Sequence, residues 1–114
     1  MVTRAEVKAY ITFPIEMLEA MQPTDDEWDA WIAANEIKFE GRTGDAFDET
    51  IPRHYDLFMS YMKLSTLNWF LSKQGYRSSV STEAGSAIMT ELRDVRKHIE
   101  KVEKKGDPKW VLVR

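Results

Sequence analysis

The stretch that decides the fold runs from Pro52 to Gln74 and reads PRHYDLFMSYMKLSTLNWFLSKQ. Eleven of these 23 residues are Tyr, Leu, Phe, Met or Trp, and on a helix they point in almost every direction. A helix that is apolar along one stripe covers a core, whereas one that is apolar on most sides is itself surrounded. The stretch therefore predicts a long central helix within an all-α fold, a small bundle of about four to five helices.

Proline and glycine mark the two ends of this central helix. Pro52 suits a first helical position, because its missing N–H would have no partner there in any case. Thr50 is predicted to cap the helix and Gly75 to stop it. Residues 41–50 and 76–81 are polar and are predicted to form the loops on either side.

A capping box begins the N-terminal part of the chain. Thr3 and Glu6 have the spacing for reciprocal side-chain to backbone hydrogen bonds, so a short helix should follow over residues 4–11. Pro14 disfavours a helical residue before itself and can open another short turn over residues 15–21.

A second capping box, Thr24 with Glu27, begins a helix that is predicted to end near Glu40, with Gly41 and Gly44 as its stop. Several large side chains recur on one face of it at spacings of three and four, which indicates a core face. They are Trp28, Trp31, Ile32, Asn35 and Phe39. The two tryptophans are interpreted as core residues rather than as a platform for nucleic-acid bases, because no basic stripe runs beside them.

The last long helix has a narrower apolar pattern. Ser81 or Thr82 is predicted to cap it, and it should run to about Lys105 before Gly106 and Pro108 end it. Its apolar residues recur at steps of four and three, which is a seam of two residues per heptad. They are Ile88, Leu92, Val95, Ile99 and Val102.

The chain ends on an apolar, strand-like tail, which divides it into a helical domain at 1–106 and an extended tail at 107–114. An apolar segment beyond the end of a helix is expected to pack against a partner surface. Two alternatives stay open: Trp110 folds back onto the helices, or the tail docks onto another chain. The predicted partner-binding residues are Trp110, Val111, Leu112, Val113 and Arg114.

Composition excludes several classes of protein. The net charge of −3 argues against general nucleic-acid binding, and the basic stretch 93–105 is interleaved with Glu91, Asp94, Glu100 and Glu103, as a solvated helix face is. There is no cysteine for a disulfide or a thiolate metal site. No apolar run reaches the ~20 residues of a membrane span, so we expect no membrane and a cytoplasmic site of synthesis.

We expect no catalytic, cofactor or metal site. His54 and His98 lie on different helices without a second ligand at helical spacing, and both are interpreted as solvated or cap-region residues. The acidic run of Asp25, Asp26, Glu27 and Asp29 is interpreted as complementing the helix dipole.

Two further motifs also fall short of a catalytic site. The segment Gly41–Gly44 lacks the lysine and spacing of a phosphate loop, so Arg42 is predicted to be exposed. Arg77-Ser78-Ser79 has no nucleophile elbow around it.

The order of these pieces resembles the head–tail connector (adaptor, or head completion) proteins of tailed double-stranded DNA bacteriophages and prophages. The resemblance covers residues 2–103. Residues 2–11, VTRAEVKAYI, are similar to an opening helix of the form T/E-x-A-K-x-Y-L, and residues 39–44, FEGRTG, to a helix end of the form I-E-x-x-T-G. Ile51-Pro52 then opens the long apolar helix, Tyr76-Arg77-Ser78 follows it, and an amphipathic helix closes the domain.

This resemblance implies a structural virion protein rather than an enzyme. Members of that family form a ring, commonly a dodecamer, beneath the portal protein. That ring extends the DNA channel and accepts the next connector or a tail protein, and DNA passes without sequence-specific binding.

Two other readings stay open: a small helical regulator or inhibitor of one protein partner, and a nucleic-acid-binding helical domain. A clustered basic recognition helix would favour the last.

Overall fold

The computed structural model describes residues 2–11, 23–74 and 83–105, and within these ranges it contains four helices and no strand. They are α1 (Arg4–Tyr10), α2 (Asp25–Thr43), α3 (Pro52–Gln74) and α4 (Glu83–Lys105). The predicted all-α fold is confirmed, and so are the positions of these four helices. The predicted turn at 15–21, the loop at 76–81, the caps Ser81 and Thr82, and the tail at 107–114 lie outside the described residues.

Helix α3 is the centre of the bundle and packs against α1, α2 and α4. Six consecutive residues, Leu57 to Met62, are all buried, which a helix achieves only when neighbours cover every side of it. The enclosure predicted from the sequence is therefore confirmed for this part of α3. Its last two turns are more open, and Trp69 is half-buried there.

The buried side chains form two clusters, and each cluster joins α3 to different neighbouring helices. One joins α3 to the seam of α4, where Ile88, Leu92, Val95 and Ile99 are buried as predicted and Val102 is half-buried. The other joins α3 to α1 and α2 through residues that include Val7, Trp28 and Phe58. Phe47, in the loop between α2 and α3, packs against both clusters.

The helix starts follow the local chemistry of the sequence. Both capping boxes are present: Glu6 N–H donates to Thr3 Oγ1 at 3.2 Å, and Glu27 N–H to Thr24 Oγ1 at 3.2 Å. In each box the glutamate carboxylate accepts in return from the N–H of the threonine. These bonds satisfy backbone donors that have no partner inside the helix.

The predicted end of α2 was wrong by three residues. The helix continues through Gly41 to Thr43, and only Gly44 stops it, with a φ of 79° in the left-handed region. Its N–H donates to the carbonyl of Glu40 at 2.9 Å. A glycine can remain helical at a small cost, so the stop falls where the left-handed conformation is needed.

Thr50 does not cap α3, contrary to the prediction. Its hydroxyl and its N–H both donate to the Asp48 carboxylate, at 2.6 and 3.0 Å. Ile51 separates it from Pro52, which is the first helical residue as predicted. An aspartate two residues upstream offers a stronger local acceptor, and the hydroxyl is therefore used in the turn.

Candidate functional site

A buried polar network ties the last turn of α4 to α2 and α3. Glu103 is only 2% exposed, and Arg42 binds it with two hydrogen bonds, Nε to Oε2 at 2.6 Å and Nη2 to Oε1 at 2.8 Å. The hydroxyl of Tyr61, in the middle of α3, donates to Oε2 at 2.6 Å. The network thus fixes the segment of α4 that immediately precedes the chain's tail.

The charged and polar groups of this network are paired with one another, as expected for a site that stabilises the fold. The hydrogen bond to Glu103 raises the pKa of Arg42, and burial raises the pKa of Tyr61, so both keep their protons at neutral pH. Lys38 lies 4.5 Å from the centre of the Tyr61 ring, and burial lowers its pKa. Because Arg42 and Tyr61 both keep their protons and both bind Glu103, its carboxylate joins α2, α3 and α4.

Sequence reasoning missed this network. Arg42 was predicted to be exposed; its side chain is partly exposed, but its guanidinium is paired with Glu103. Glu103 was taken as part of a solvated face. The available signal was its spacing of four from Ile99, which continues the apolar seam of α4 and places the carboxylate at the core's edge.

The two histidines have different environments. His54 is buried, accepts a hydrogen bond on Nδ1 from the Asp48 N–H at 3.1 Å, and packs against Phe39. His54 lies in the first turn of α3, as predicted for a cap-region residue, but it is buried and not solvated. His98 is exposed, and its Nε2 lies 3.0 Å from the Asp56 carboxylate.

No metal centre is built from these groups. Within the described ranges, no set of three or more His, Cys, Asp and Glu side chains is arranged to hold a metal ion. The loop 45–51 and His54 line an open depression beside Glu36. Its His54 ring is already engaged by backbone and aromatic contacts.

The acidic start of α2 has a tertiary role that its sequence did not reveal. Arg4 contacts Asp25 at 2.7 Å and Asp29 at 3.3 Å, and its charge lowers the pKa of Asp25. The Trp69 indole N–H donates to Glu27 at 2.7 Å. The carboxylates complement the helix dipole and also attach α1 and α3 to α2.

An apolar stripe remains on the outer face of α2. Ile37 is 71% exposed, and it is flanked on the same side of the helix by small residues that are also exposed. These are Ala30, Ala33, Ala34 and Gly41. One exposed apolar side chain is common on a monomer; here the small residues around Ile37 extend it into a contiguous apolar stripe on which another chain can pack. A second exposed apolar side chain, Met89 at 52%, lies on α4.

The residues that the sequence analysis assigned to partner binding, Trp110 to Arg114, lie outside the described part of the chain. No helix among the described residues is long and apolar enough to cross a membrane.

Comparison with known proteins gave no relative: the chain matches no protein-family model, no curated protein and no solved structure. Its function is therefore inferred from the surfaces above and from the order of motifs in the sequence.

Proposed function

We propose that the chain is a structural virion protein, a head–tail connector whose copies form a ring beneath the portal, extend the DNA channel and link the head to the tail. Its partners are the portal protein, further copies of itself in a ring of about twelve, and the next connector or a tail protein. It is made in the cytoplasm of the bacterial host, acts at the head–tail interface of the virion and catalyses no reaction.

The observation that carries this proposal is the exposed stripe around Ile37 on α2, together with Met89 on α4. A ring closes through head-to-tail contacts, so each copy needs two different and complementary faces. The stripe is bordered by the exposed carboxylates of Asp26 and Glu40. Met89 shares its side of α4 with Arg93, Arg96 and Glu100, which leaves that side net positive. We assign the stripe to the Met89 face of the neighbouring copy, because apolar groups and opposite charges then meet.

Electron microscopy of the protein mixed with phage portal rings or DNA-filled heads tests the proposal, with the mass of the free protein measured alongside. A ring stacked coaxially on the portal is the expected result. Including the portal covers the case in which the ring forms only on that template. A monomer or dimer that leaves the portal bare would contradict the proposal.

The copy-to-copy contact has its own variant. Ile37→Asp places a charge in the apolar stripe and should prevent the ring while leaving the fold intact, since Ile37 packs little against its own chain. Asn68→Asp introduces the same side chain at an exposed position of α3 and should leave the ring unchanged.

Tail docking is tested by truncation after Gly106. If residues 107–114 dock on the portal or on a neighbouring copy, the truncated chain should fold and yet lose attachment. Unchanged attachment and head completion would assign the tail to the alternative, in which Trp110 folds back.

A small helical regulator that binds a single protein remains the second candidate. The same stripe around Ile37 favours it, because one partner helix would cover the stripe as well as a neighbouring copy does. It predicts a complex of defined one-to-one or two-to-one mass and no ring.

A further inference from the structure

The outer face of α4 is more basic than its sequence indicates. Five basic residues between positions 93 and 104 are exposed, namely Arg93, Arg96, Lys97, Lys101 and Lys104. In sequence they alternate with carboxylates, a pattern typical of a balanced, solvated face. The fold turns two of the four carboxylates inward and leaves Asp94 and Glu100 exposed.

Two of those carboxylates are turned away from the outer face. Glu103 is buried against Arg42 and Tyr61. Glu91 contacts Lys63 of α3 at 2.7 Å. Both charges are therefore neutralised toward the bundle, and the cations around them stay on the solvent side.

Three of the cations form a regular row. Arg93, Lys97 and Lys101 follow one another at steps of four residues, which places them on one side of α4 at intervals of about 6 Å along its axis. Within the described part of the chain none of the three forms an ion pair. Lys104 contacts Glu100 at 2.9 Å, and Asp94 lies at the edge of the row.

We propose that this row contacts the phosphate backbone of duplex DNA without reading its sequence. One strand of B-DNA carries a charge for every ~3.4 Å of helix axis, so a row about 12 Å long meets several phosphates. Exposed arginine and lysine side chains are the usual phosphate ligands. A protein partner is a poorer match, because the centres of protein interfaces are apolar and depleted of charge.

The inference does not depend on the connector proposal, since a single chain in solution already presents the row. It also differs from general nucleic-acid binding, which the net charge of −3 disfavours. We expect a weak, local contact that DNA can slide along, because three cations on an acidic chain give few phosphate contacts.

The test is a titration of the folded protein with a short duplex of mixed sequence, followed by amide chemical shifts in NMR spectra. Shifts should cluster on the outer side of α4. With about three phosphate contacts, affinity should fall roughly 40-fold between about 50 and 200 mM salt. Lys97→Gln combined with Lys101→Gln leaves one contact, and the same salt change should then alter affinity only about fourfold.

The control is Asn68→Asp combined with Ser72→Glu. It makes the net charge more negative by the same two units, but it does so on exposed positions of α3, outside both the row and the stripe around Ile37. It should retain the steep salt dependence, and both double variants should keep the dispersed spectrum of the parent. If the control weakens binding as much as the α4 variant does, total charge rather than the row is responsible, and the proposal fails.

Three other results would also overturn it. These are no shift at about 50 mM salt, shifts that map away from α4, or binding to anionic lipid vesicles without binding to the duplex. Self-association of the protein at low salt with no response to DNA would assign the row to a second copy and would equally exclude the proposal.

Discussion

Arg42 and Glu103 lie 61 residues apart in sequence, and their side chains are joined by two hydrogen bonds of 2.6 and 2.8 Å. The Glu103 side chain is buried, whereas the Arg42 side chain is 42% exposed. Water can therefore solvate the arginine but cannot replace it at the carboxylate. The C-terminal end of α4 is stabilised by this pair, because Arg42 gives the carboxylate two charged hydrogen bonds, whereas Tyr61 gives it one neutral hydrogen bond.

Arg42→Gln should lower the free energy of unfolding by about 2–3 kcal/mol, because it removes the two charged hydrogen bonds that Arg42 gives a buried carboxylate. Urea unfolding followed by circular dichroism measures the change. Arg93→Gln is the same substitution at an exposed site on α4 and should stay within about 0.5 kcal/mol of the parent. Equal values for the two variants would show that Glu103 does not need Arg42.

Phe58→Ala should cost about 3–5 kcal/mol, since its ring is fully buried against α1 and α2 and the surrounding helices can only partly collapse into the space. Trp69→Ala should cost less than Phe58→Ala, because Trp69 is only half-buried. Asn68→Ala, exposed on the same helix, serves as the control. A Phe58→Ala variant as stable as the control would mean that α3 is not enclosed.

The features that sequence reasoning predicted well are decided locally. The capping boxes at Thr3 and Thr24 join residues three apart, and the all-round apolar character of Leu57 to Met62 is visible without knowing its neighbours. The same holds for the seam of α4, whose residues face one partner helix.

The features it missed depend on contacts between distant residues. Nothing within a few positions of Arg42 indicates Glu103, and nothing near Trp69 indicates its bond to Glu27, 42 residues away. The balance of charges on α4 could not be read from composition either, because it depends on which carboxylates find a cation on another helix. Gly41 shows the limit of a local rule, since two glycines matched the stop of α2 and only Gly44 provides it.

The two glycines at the end of α2 should respond to alanine with opposite signs. Gly41 is helical, and a Cβ there meets nothing within 4 Å, so Gly41→Ala should stabilise the protein by about 0.5–1 kcal/mol. Gly44 has a φ of 79°, and Gly44→Ala should cost about 1–2 kcal/mol. Thermal unfolding of both variants measures the difference. Destabilisation by Gly41→Ala would place the end of α2 at Glu40 after all.

The contact between Arg4 and Asp25 should give stability a distinct dependence on pH. The charge of Arg4 holds the pKa of Asp25 below its usual value in the folded protein, while the unfolded value is about 3.9. A depressed pKa stabilises the fold at all pH values above the unfolded one, and the contribution is lost as pH falls through the folded pKa. Urea midpoints measured from about pH 6 down to about pH 2 should therefore fall more steeply for the parent than for Arg4→Gln.

Other carboxylates also contribute to the loss of stability at low pH. Among them is Asp48, whose pKa is lowered by hydrogen bonds from Thr50. The informative quantity is therefore the difference between the parent and Arg4→Gln, from which those shared contributions cancel. That difference should be constant above about pH 5 and shrink below about pH 4, since protonated Asp25 has no charge for Arg4 to attract. Arg93→Gln removes a cation that does not contribute to the lowered pKa of Asp25, so its difference from the parent should not change over this range. If both variants behave alike, the acid sensitivity arises from total charge, and the contact between α1 and α2 has no special part in it.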